Sequence, residues 1–302
     1  MKADVARILS EVRRIEVWTR HLVTGVLAGS YLSVFRGPGI EVDEVREYAE
    51  GDDPRSVDWN VSARAGRPFV KTFLDERELT LLFLLDLSAS MEGGHARLSA
   101  RQTAARLCAC LALSAVKNND KVGLVAFGGK VEKYVPALNG VGHALRIVRD
   151  CLALEAKSPG GRTAVAAALE FASHVLKRRT ILFLVSDFLS TGWRDAMTLC
   201  ARHHDLVAVR LVPPELAPPG AGLVRARDPE SGRETIVDWR SARVRAEYAA
   251  RVAAFEARTR EDIRRARVDL VEVPLPATED RDAIVRPLVQ FFRMRQLRSA
   301  KR

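Results

Sequence analysis

Oxygen-bearing side chains cluster at the end of the apolar run Leu79–Leu85, in the segment "LTLLFLLDLSASM". Asp86 ends this run, and the hydroxyls of Ser88 and Ser90 follow at alternate positions. If the segment after Asp86 forms a loop, the small residue Ala89 lets it curl so that the three side chains face one point. Hard divalent cations, Mg²⁺ above all, prefer such oxygen ligands, and Mn²⁺ accepts the same set. We therefore predict a cation site in which Asp86 supplies a direct charge contact and Ser88 and Ser90 supply hydroxyl ligands.

Two later segments carry further oxygen donors. Thr163 follows the glycine pair of "SPGGRT" and opens a helical pattern, and Asp187 ends the apolar run "TILFLVSD". The carboxyl ends of parallel strands share one edge of a sheet, so we expect Asp86, Asp187 and the loop of Thr163 at the same edge. Thr163 is predicted to be a ligand that comes and goes with the position of its loop, and Asp187 a contact through water. Such a weakly charged, incompletely filled cage would retain affinity for a carboxylate from outside.

The elements that must position these residues alternate between strands and helices. Five short apolar runs are predicted to be strands that are covered on both faces, because their apolar residues are nearly continuous. They are "TLLFLLD" (80–86), "KVGLVAF" (121–127), "TILFLVSD" (180–187), "DLVAVRLV" (205–212) and "VDLVEVP" (268–274). Helical spacing of apolar residues fills 96–117, 163–176 and 243–265. This alternation predicts an α/β fold of the Rossmann-like kind, with a doubly wound, mostly parallel sheet and right-handed crossovers.

Segments outside this alternation complete the predicted organisation. Residues 1–78 hold an amphipathic N-terminal helix and a dense polar stretch, and form an N-terminal extension to the α/β domain at 79–276. Within that domain, 213–239 is predicted to be a β-hairpin excursion, because "DPESGR" lies between "LVRAR" and "ETIVDW". Residues 277–302 are predicted to form a basic C-terminal helix.

The oxygen donors together resemble the metal-ion-dependent adhesion site of von Willebrand factor type A domains. The DxSxS motif of that site matches Asp86, Ser88 and Ser90. The threonine that such sites take from a later loop matches Thr163, and the aspartate that follows a further strand matches Asp187. The resemblance implies a von Willebrand type A fold that grips an acidic side chain of another protein through Mg²⁺ or Mn²⁺. The alternative is structural, with Asp86 and a serine merely capping the helix that follows.

The region Arg36–Glu78 extends the resemblance. Its sequence, "RGPGIEVDEVREYAEGDDPRSVDWNVSARAGRPFVKTFLDERE", directly precedes the metal motif and is similar to domain-of-unknown-function family 58, a bacterial and archaeal group with a von Willebrand type A core. The resemblance runs from about Arg36 through the last predicted strand, and this chain looks like the short form without membrane segments. Members are typically linked to MoxR-type AAA+ ATPases, a class thought to act in chaperone-like maturation of other proteins or in insertion of their metal cofactors. The resemblance therefore implies an adaptor that works with such an ATPase or with its client protein.

Charged residues of both signs surround Tyr48 and Trp59 in this signature. The candidates for partner contact are Arg46, Asp52, Asp53, Arg55, Asp58, Trp59 and Arg64. One interpretation is a docking surface for the partner ATPase. The other is an intramolecular network of ion pairs that holds the segment on the sheet domain, with Trp59 as its anchor. We favour the second, because charges beside an aromatic anchor more often order a segment than bind a partner.

The net charge of +10 is concentrated near the C-terminus, where residues 240–302 hold 16 Lys and Arg against nine Asp and Glu. The segments "RRAR" (264–267) and "RMRQLRSAKR" (293–302) could bind nucleic acid or an acidic partner surface. The chain shows no helix-turn-helix, zinc-finger or aromatic-interleaved RNA-binding pattern. A solvated basic helix face is therefore favoured, and nucleic-acid binding stays the alternative.

Apolar runs and cysteines indicate the compartment. The longest apolar runs are far shorter than the roughly 20 residues of a membrane helix, and the charged N-terminus lacks the apolar core of a signal peptide. The cysteines show neither zinc spacing nor a redox CxxC, and are expected to be buried, inert thiols. They are Cys108, Cys110, Cys151 and Cys200. We therefore expect a cytoplasmic protein without a membrane span.

An enzymatic role for Asp86 is the main alternative to binding. A metal-dependent hydrolase or phosphoryl-transfer enzyme could use Asp86 as its nucleophile, but Ser88 replaces the second acid expected two residues later. The chain contains no GxSxG nucleophile elbow and no GxxxxGK[ST] phosphate loop. "FGGK" (127–130) and "GVGHA" (140–144) are interpreted as turns that are too short to cradle phosphate. The sequence thus favours a protein without catalytic activity.

Overall fold

The computed structural model describes residues 2–22, 44–49, 57, 59–72, 78–94, 96–155, 164–218, 220, 222–228, 232–275 and 281–299. The helices are α1 (Lys2–Leu22), α2 (Trp59–Ala65), α3 (Ala100–Lys117), α4 (Val141–Ala153), α5 (Val165–Val175), α6 (Arg194–His203), α7 (Ala242–Arg265) and α8 (Arg281–Ser299). The strands are β1 (Glu44–Glu47), β2 (Phe69–Thr72), β3 (Thr80–Asp86), β4 (Lys121–Phe127), β5 (Val131–Leu138), β6 (Ile181–Ser186), β7 (Asp205–Val212), β8 (Leu223–Arg227), β9 (Glu234–Asp238) and β10 (Asp269–Pro274). Short 3-10 helices at Ala89–Met91 and Pro214–Leu216 follow β3 and β7.

A six-stranded sheet forms the centre of the molecule, in the order β10-β7-β6-β3-β4-β5. β5 runs antiparallel to β4, and the other neighbouring strands are parallel. The chain begins the sheet with β3, builds outward through β4 and β5, and then returns to the other side of β3 with β6, β7 and β10. This is the strand order of doubly wound folds, and it confirms the predicted α/β architecture.

The core lies on both faces of this sheet because its central strands are buried throughout. Phe83 and Phe183 lie on the neighbours β3 and β6, with ring centroids 6.2 Å apart, in a layer that α1, α3, α4 and α8 cover. Leu82 and Leu84 belong to the opposite layer, which α5, α6 and α7 cover. Side chains therefore hold β3 from both sides, which fixes the position of its last residue, Asp86.

The five predicted strands are all present, each within one residue of its predicted bounds. β5, α4 and α6 were not predicted. β5 is a partly exposed edge strand that contains Pro136, so it lacks the continuous apolar run of its neighbours. The interpretation of "GVGHA" as a turn is wrong, because Gly140 caps α4 with a φ of 108° and the helix starts at the next residue. "FGGK" does form the turn between β4 and β5, where the N–H of Gly128 donates to the carbonyl of Lys130.

Capping decides where the first crossover helix begins. Ser99 caps α3: its hydroxyl accepts from the N–H of Gln102 at 3.2 Å, and the Gln102 side chain accepts from the N–H of Ser99 at 3.2 Å. This capping box starts the helix at Ala100, four residues after the predicted start. The residues between β3 and α3 are therefore left to form a loop.

The remaining elements are attached to this sheet domain. β8 and β9 pair antiparallel, from Leu223 with Asp238 to Arg227 with Glu234, which confirms the hairpin excursion. β1 pairs antiparallel with β2, and α2 packs on β2. α1 contacts α3 and α4, and α8 contacts α3 and β10.

The cysteines and the apolar character of the helices were both part of the sequence prediction. The four cysteines are free and buried, as predicted. Within the described ranges, no helix combines the length and the apolar character that crossing a bilayer requires.

Candidate metal centre

The predicted acids meet at the carboxyl edge of the sheet, where β3 and β6 lie side by side. Asp86 is the last residue of β3, and Asp187 follows β6 directly. The register pairs Leu85 with Val185, so Asp86 lies beside Ser186. The chain extends the sheet to both sides from this strand pair, and such a reversal of strand order opens a crevice beyond the strand ends. The fold thus brings two acids from distant segments to the position where doubly wound sheets bind ligands.

Asp86 is fully buried, and both of its carboxylate oxygens accept hydrogen bonds from the protein. The N–H of Ser88 donates to Oδ1 at 2.8 Å, and the hydroxyl of Ser186 donates to Oδ2 at 2.6 Å. The Ser186 hydroxyl accepts in turn from the N–H of Phe188 at 3.0 Å. These bonds fix the carboxylate and connect the loops that follow β3 and β6. Ser186 was not predicted as part of the site, although it directly precedes the predicted Asp187.

The loop after β3 curls as predicted. The 3-10 helix Ala89–Met91 turns the chain, and the hydroxyl oxygens of Ser88 and Ser90 lie 3.0 Å apart. The hydroxyl of Ser90 lies close enough to Asp187 to lower the pKa of that carboxyl. The structure therefore brings together four of the five predicted metal ligands: Asp86, Ser88, Ser90 and Asp187. The fifth, Thr163, lies outside the described residues.

An unusual backbone conformation positions the second acid. Phe188, directly after Asp187, has a φ of 58°, which a bulky residue adopts only when its surroundings stabilise it. Its ring is buried and packs edge-to-face on Trp193, with ring centroids 5.3 Å apart. In the same turn, the N–H of Leu189 donates to Oδ1 of Asp187 at 3.0 Å. Aromatic packing thus stabilises the turn that holds Asp187.

Burial makes this pair of acids costly to ionise. Desolvation, and then repulsion from Asp187, raises the pKa of Asp86 from 3.8 to about 7, against hydrogen bonds of which that from Ser186 is the strongest. Burial likewise raises the pKa of Asp187, although hydrogen bonds and the charge of Arg210 oppose this rise. A bound cation stabilises the charged forms of two acids in one buried site, because its attraction for the carboxylates opposes the effect of burial on their pKa values.

Arg210 supplies a fixed positive charge on the side of Asp187. It lies in β7, is paired in register with Ser186 and is 0% exposed. Its guanidinium binds Glu272 at 2.8 Å and Glu256 at 3.3 Å. Arg210 was not predicted to support the site. The available signal was an arginine inside the apolar run "DLVAVRLV", since a charge in a buried strand needs charged partners.

The donor set fits a hard divalent cation. It consists of an oriented carboxylate, two adjacent hydroxyls and a second carboxylate, and Mg²⁺ and Mn²⁺ prefer such oxygen ligands. Among the residues that the structure describes, no group of three or more His, Cys, Asp or Glu side chains is placed to hold a metal. Cation binding at this edge stays a prediction, in which the hydroxyls of Ser88 and Ser90 supply part of the ligand set.

The structure describes part of the predicted partner-binding signature. Arg46 lies in β1, Trp59 begins α2, and Arg64 lies in the last turn of α2. The remaining candidates lie outside the described residues: Asp52, Asp53, Arg55 and Asp58. Trp59 is 74% exposed, so it does not serve as the buried anchor of the intramolecular interpretation. The docking interpretation stays a prediction.

Several solved structures are similar to this chain over most of its length. BatB from Bacteroides thetaiotaomicron has a TM-score of 0.45 and 18% identity, with 74% of this chain and 100% of that chain covered. An aerotolerance-related membrane protein from Bacteroides fragilis has a TM-score of 0.44 and 16% identity, with 73% and 99% covered. The VWA domain of SpRpn10 has a TM-score of 0.39 and 10% identity, with 70% and 96% covered. At these TM-scores the likenesses carry no inference about ligands.

Sequence relatives and a family model both match this chain. Uncharacterized proteins of Mycobacterium tuberculosis and Mycobacterium bovis are each 29% identical to it over 265 residues, which is 86% of this chain and 83% of theirs. The family described as "Protein of unknown function DUF58" matches residues 44–258, a range that includes β1, both loops of the candidate site and most of α7. The match covers more than half of the chain and confirms the predicted family. This protein therefore belongs to DUF58, a family of proteins of unknown function.

Proposed function

We propose that this protein is a non-catalytic interaction module that binds an acidic side chain of a partner protein through a divalent cation. The residues that would hold the cation are Asp86, Ser88, Ser90 and Asp187. When bound, Mg²⁺ or Mn²⁺ would supply the positive charge that attracts the carboxylate of the partner. The protein orients the ligands, keeps Asp86 away from water and limits the negative charge in direct contact to one carboxylate.

The observation that carries this proposal is the buried acid pair at the switch point of the sheet. Asp86 and Asp187 come from neighbouring strands, and the hydroxyls of Ser88 and Ser90 lie 3.0 Å apart in the same loop cluster. Burial opposes the ionisation of both acids. A cation would remove this cost, so the site is built to gain charge balance from a ligand.

The environment of Asp86 supports binding over catalysis. A nucleophilic carboxylate must move onto its substrate, whereas Asp86 is held by hydrogen bonds from Ser88 and Ser186 to its two oxygens, each of which keeps a lone pair for a cation. These bonds are suited to holding one fixed orientation. We therefore propose that the site is not an enzyme active site.

We further propose that the partner is a MoxR-type AAA+ ATPase or its client protein, that the two meet in the cytoplasm, and that the function is chaperone-like maturation or cofactor insertion. The resemblance of the signature region to its family supports the choice of partner. Exposed Trp59 and Arg64 support a second contact surface there, because tryptophan and arginine are the residues most enriched at binding hot spots.

The basic C-terminal part gives less support to nucleic-acid binding. Arg264 and Arg265 both bind Glu261, at 2.7 Å each, and Arg295 binds Asp205 at 2.6 Å. Carboxylates of the same chain thus offset part of the basic charge. We retain the interpretation of a solvated basic face.

Cation-dependent capture of the partner tests the proposal. In a pull-down of a MoxR-type ATPase from the same organism, Ser88→Ala is expected to reduce retention in Mg²⁺ about tenfold, because it removes a ligand hydroxyl. A chelator should reduce retention by the wild type equally. Ser114→Ala removes a buried hydroxyl that donates to the carbonyl of Cys110 within α3, and should retain the ATPase normally. Retention that is unchanged by both Ser88→Ala and the chelator would refute the cation bridge.

The affinity for the cation is expected to depend on pH. Below the pKa of Asp86, which is about 7 without a cation, a proton must leave before the carboxylate can bind a metal. The Mn²⁺ affinity should therefore be about tenfold lower at pH 6 than at pH 8. Calorimetric titrations at the two pH values measure this change, and an affinity that does not vary would contradict the role of Asp86.

A further inference from the structure

We propose that Arg101 is a positioning residue for the metal loop, which we define as Asp86–Glu92. Through Glu92 it braces this loop against the ends of α3 and α4, and thereby keeps the ligand hydroxyls in place. The inference deepens the proposed function and rests on it. Arg101 lies outside both the DxSxS motif and the signature region Arg36–Glu78, and it would not itself contact the cation.

Arg101 lies in the first turn of α3 and is 2% exposed. Its Nη1 donates to the carbonyl of Leu154, and to that of Cys151 at 3.4 Å, at the C-terminal end of α4. Its Nη2 pairs with Glu92 at 2.9 Å. The last carbonyls of a helix lack intrahelical partners and carry the negative end of its dipole, so they hold a guanidinium well. Arg101 therefore connects a rigid helix end to the metal loop.

Glu92 is the residue at which the chain leaves the site. It directly follows the 3-10 helix Ala89–Met91, and its N–H donates to the carbonyl of Ala89 at 3.2 Å. That helix produces the curl that brings the hydroxyls of Ser88 and Ser90 together. Fixing the far end of the curl at Glu92 consequently limits the movement of both hydroxyls.

Charge and position predict opposite effects when Arg101 is removed. Burial lowers the pKa of Arg101, whereas the charges of Glu92 and Asp86 raise it, so the guanidinium and the acid of the site interact. By charge alone, Arg101→Met would remove a repulsive cation and tighten metal binding. By position, it would loosen the ligand hydroxyls and weaken metal binding. The sign of the change therefore separates the two roles.

The variants that test the brace are expected to fold. Glu92 is 54% exposed, and when it is replaced the buried guanidinium of Arg101 still donates to the carbonyls of Cys151 and Leu154. A cavity of about 230 Å³ borders both Glu92 and Arg101, so the surroundings have room for a different side chain at 101. Methionine keeps most of the length and apolar volume of the arginine stem.

Two measurements on the full-length chain test the inference. Without metal, Arg101→Met should speed amide hydrogen exchange at Met91, Glu92 and Gly93 about tenfold, since these amides lie in the braced loop. With metal, it should weaken Mn²⁺ binding at pH 8, followed by the loss of the free Mn²⁺ signal, also about tenfold. Glu92→Gln removes the charge that pairs with Arg101, and Glu92→Asp keeps the charge but is too short to reach Arg101. Both variants should therefore weaken Mn²⁺ binding to a similar extent.

Arg106→Met is the matched control. Arg106 lies on the same helix but pairs with Glu11 of α1, so both readouts should stay at wild-type values. Unchanged exchange or tighter Mn²⁺ binding in Arg101→Met would overturn the proposal. The proposal would also be overturned if Glu92→Asp bound Mn²⁺ as tightly as the wild type while Glu92→Gln bound it weakly. The charge at position 92 alone would then explain the effect. A wild type that binds no Mn²⁺ would refute the proposed function, while the metal-free exchange data would still test the brace.

Discussion

Replacing Asp86 with asparagine is expected to abolish cation binding and, at the same time, to stabilise the metal-free protein at pH 8. The amide can keep both hydrogen bonds, since its oxygen accepts from the N–H of Ser88 and its nitrogen can donate to the hydroxyl of Ser186. The substitution also removes the negative charge of Asp86, which burial and the neighbouring Asp187 disfavour. The wild-type protein would thus keep the carboxylate of Asp86 for cation binding although it lowers the stability of the fold, as is common at functional sites.

The pKa of Asp86 sets the sign and the pH window of this effect. The folded protein holds the proton with a pKa of about 7, against 3.8 as the ordinary value. The stabilisation by the protonated acid is therefore complete below about pH 4 and is lost as the pH rises through 7. A shift of this size corresponds to about 4 kcal/mol at most, so we expect Asp86→Asn to raise the free energy of unfolding at pH 8 by about 2 to 4 kcal/mol.

Urea unfolding of the metal-free proteins at pH 4 and pH 8 measures this gain, which should be near zero at pH 4. Asp150 provides a control of opposite sign: burial raises its pKa, but hydrogen bonds from Lys133 and Arg149 outweigh this, so the pKa lies below its usual value. Asp150→Asn should destabilise the protein at pH 8. Mg²⁺ should raise the melting temperature of the wild type and of Asp150→Asn but not that of Asp86→Asn. An Asp86→Asn protein that is less stable at pH 8 than the wild type would contradict this account.

Arg210→Met is expected to destabilise the protein far more than the loss of a surface ion pair. Arg210 is fully buried and pairs with Glu272 and Glu256, so its loss leaves two acids with less countercharge. Breaking a buried pair costs about 3 to 5 kcal/mol, but both acids are partly exposed and both also contact Arg260. We therefore expect a loss of about 2 to 3 kcal/mol in the free energy of unfolding.

The same urea experiment, run at pH 7, measures this loss. Arg243→Met removes a pair with Glu247 on the exposed surface of α7, and should cost less than about 0.5 kcal/mol. A loss in Arg210→Met as small as that of the control would show that the buried network contributes little. A loss well above the control would establish that the sheet edge depends on this arginine.

The sheet and its acids could be predicted because burial on both faces leaves a direct signal. A strand such as β3 must be apolar at nearly every position, so the carboxylate of Asp86 at its end stands out, and the shared edge of parallel strands brings Asp187 to it. β5 gave no such signal, because its solvent-exposed side tolerates polar residues and Pro136. α4 was missed because glycine at its start suggested a turn.

The contacts that support the site could not be predicted from local patterns. Ser186 binds Asp86 only because β6 pairs with β3, and the interpretation of the sequence did not specify which strands are neighbours. Arg101 reaches the carbonyls of Cys151 and Leu154 only because α3 and α4 pack side by side. Such partners follow from strand order and helix packing, which depend on the whole chain. The role of Thr163 stays a prediction.

A titration of the wild-type protein with Mn²⁺ at pH 8, followed by electron paramagnetic resonance, tests the central claim most directly. Bound Mn²⁺ loses the sharp signal of the free ion, so the account predicts that the signal stays low until one site per chain is filled. In Asp86→Asn the signal should rise from the first addition. A wild-type signal that follows the total Mn²⁺ from the start, or equal binding by Asp86→Asn, would contradict the claim that Asp86 and its neighbours form a metal centre.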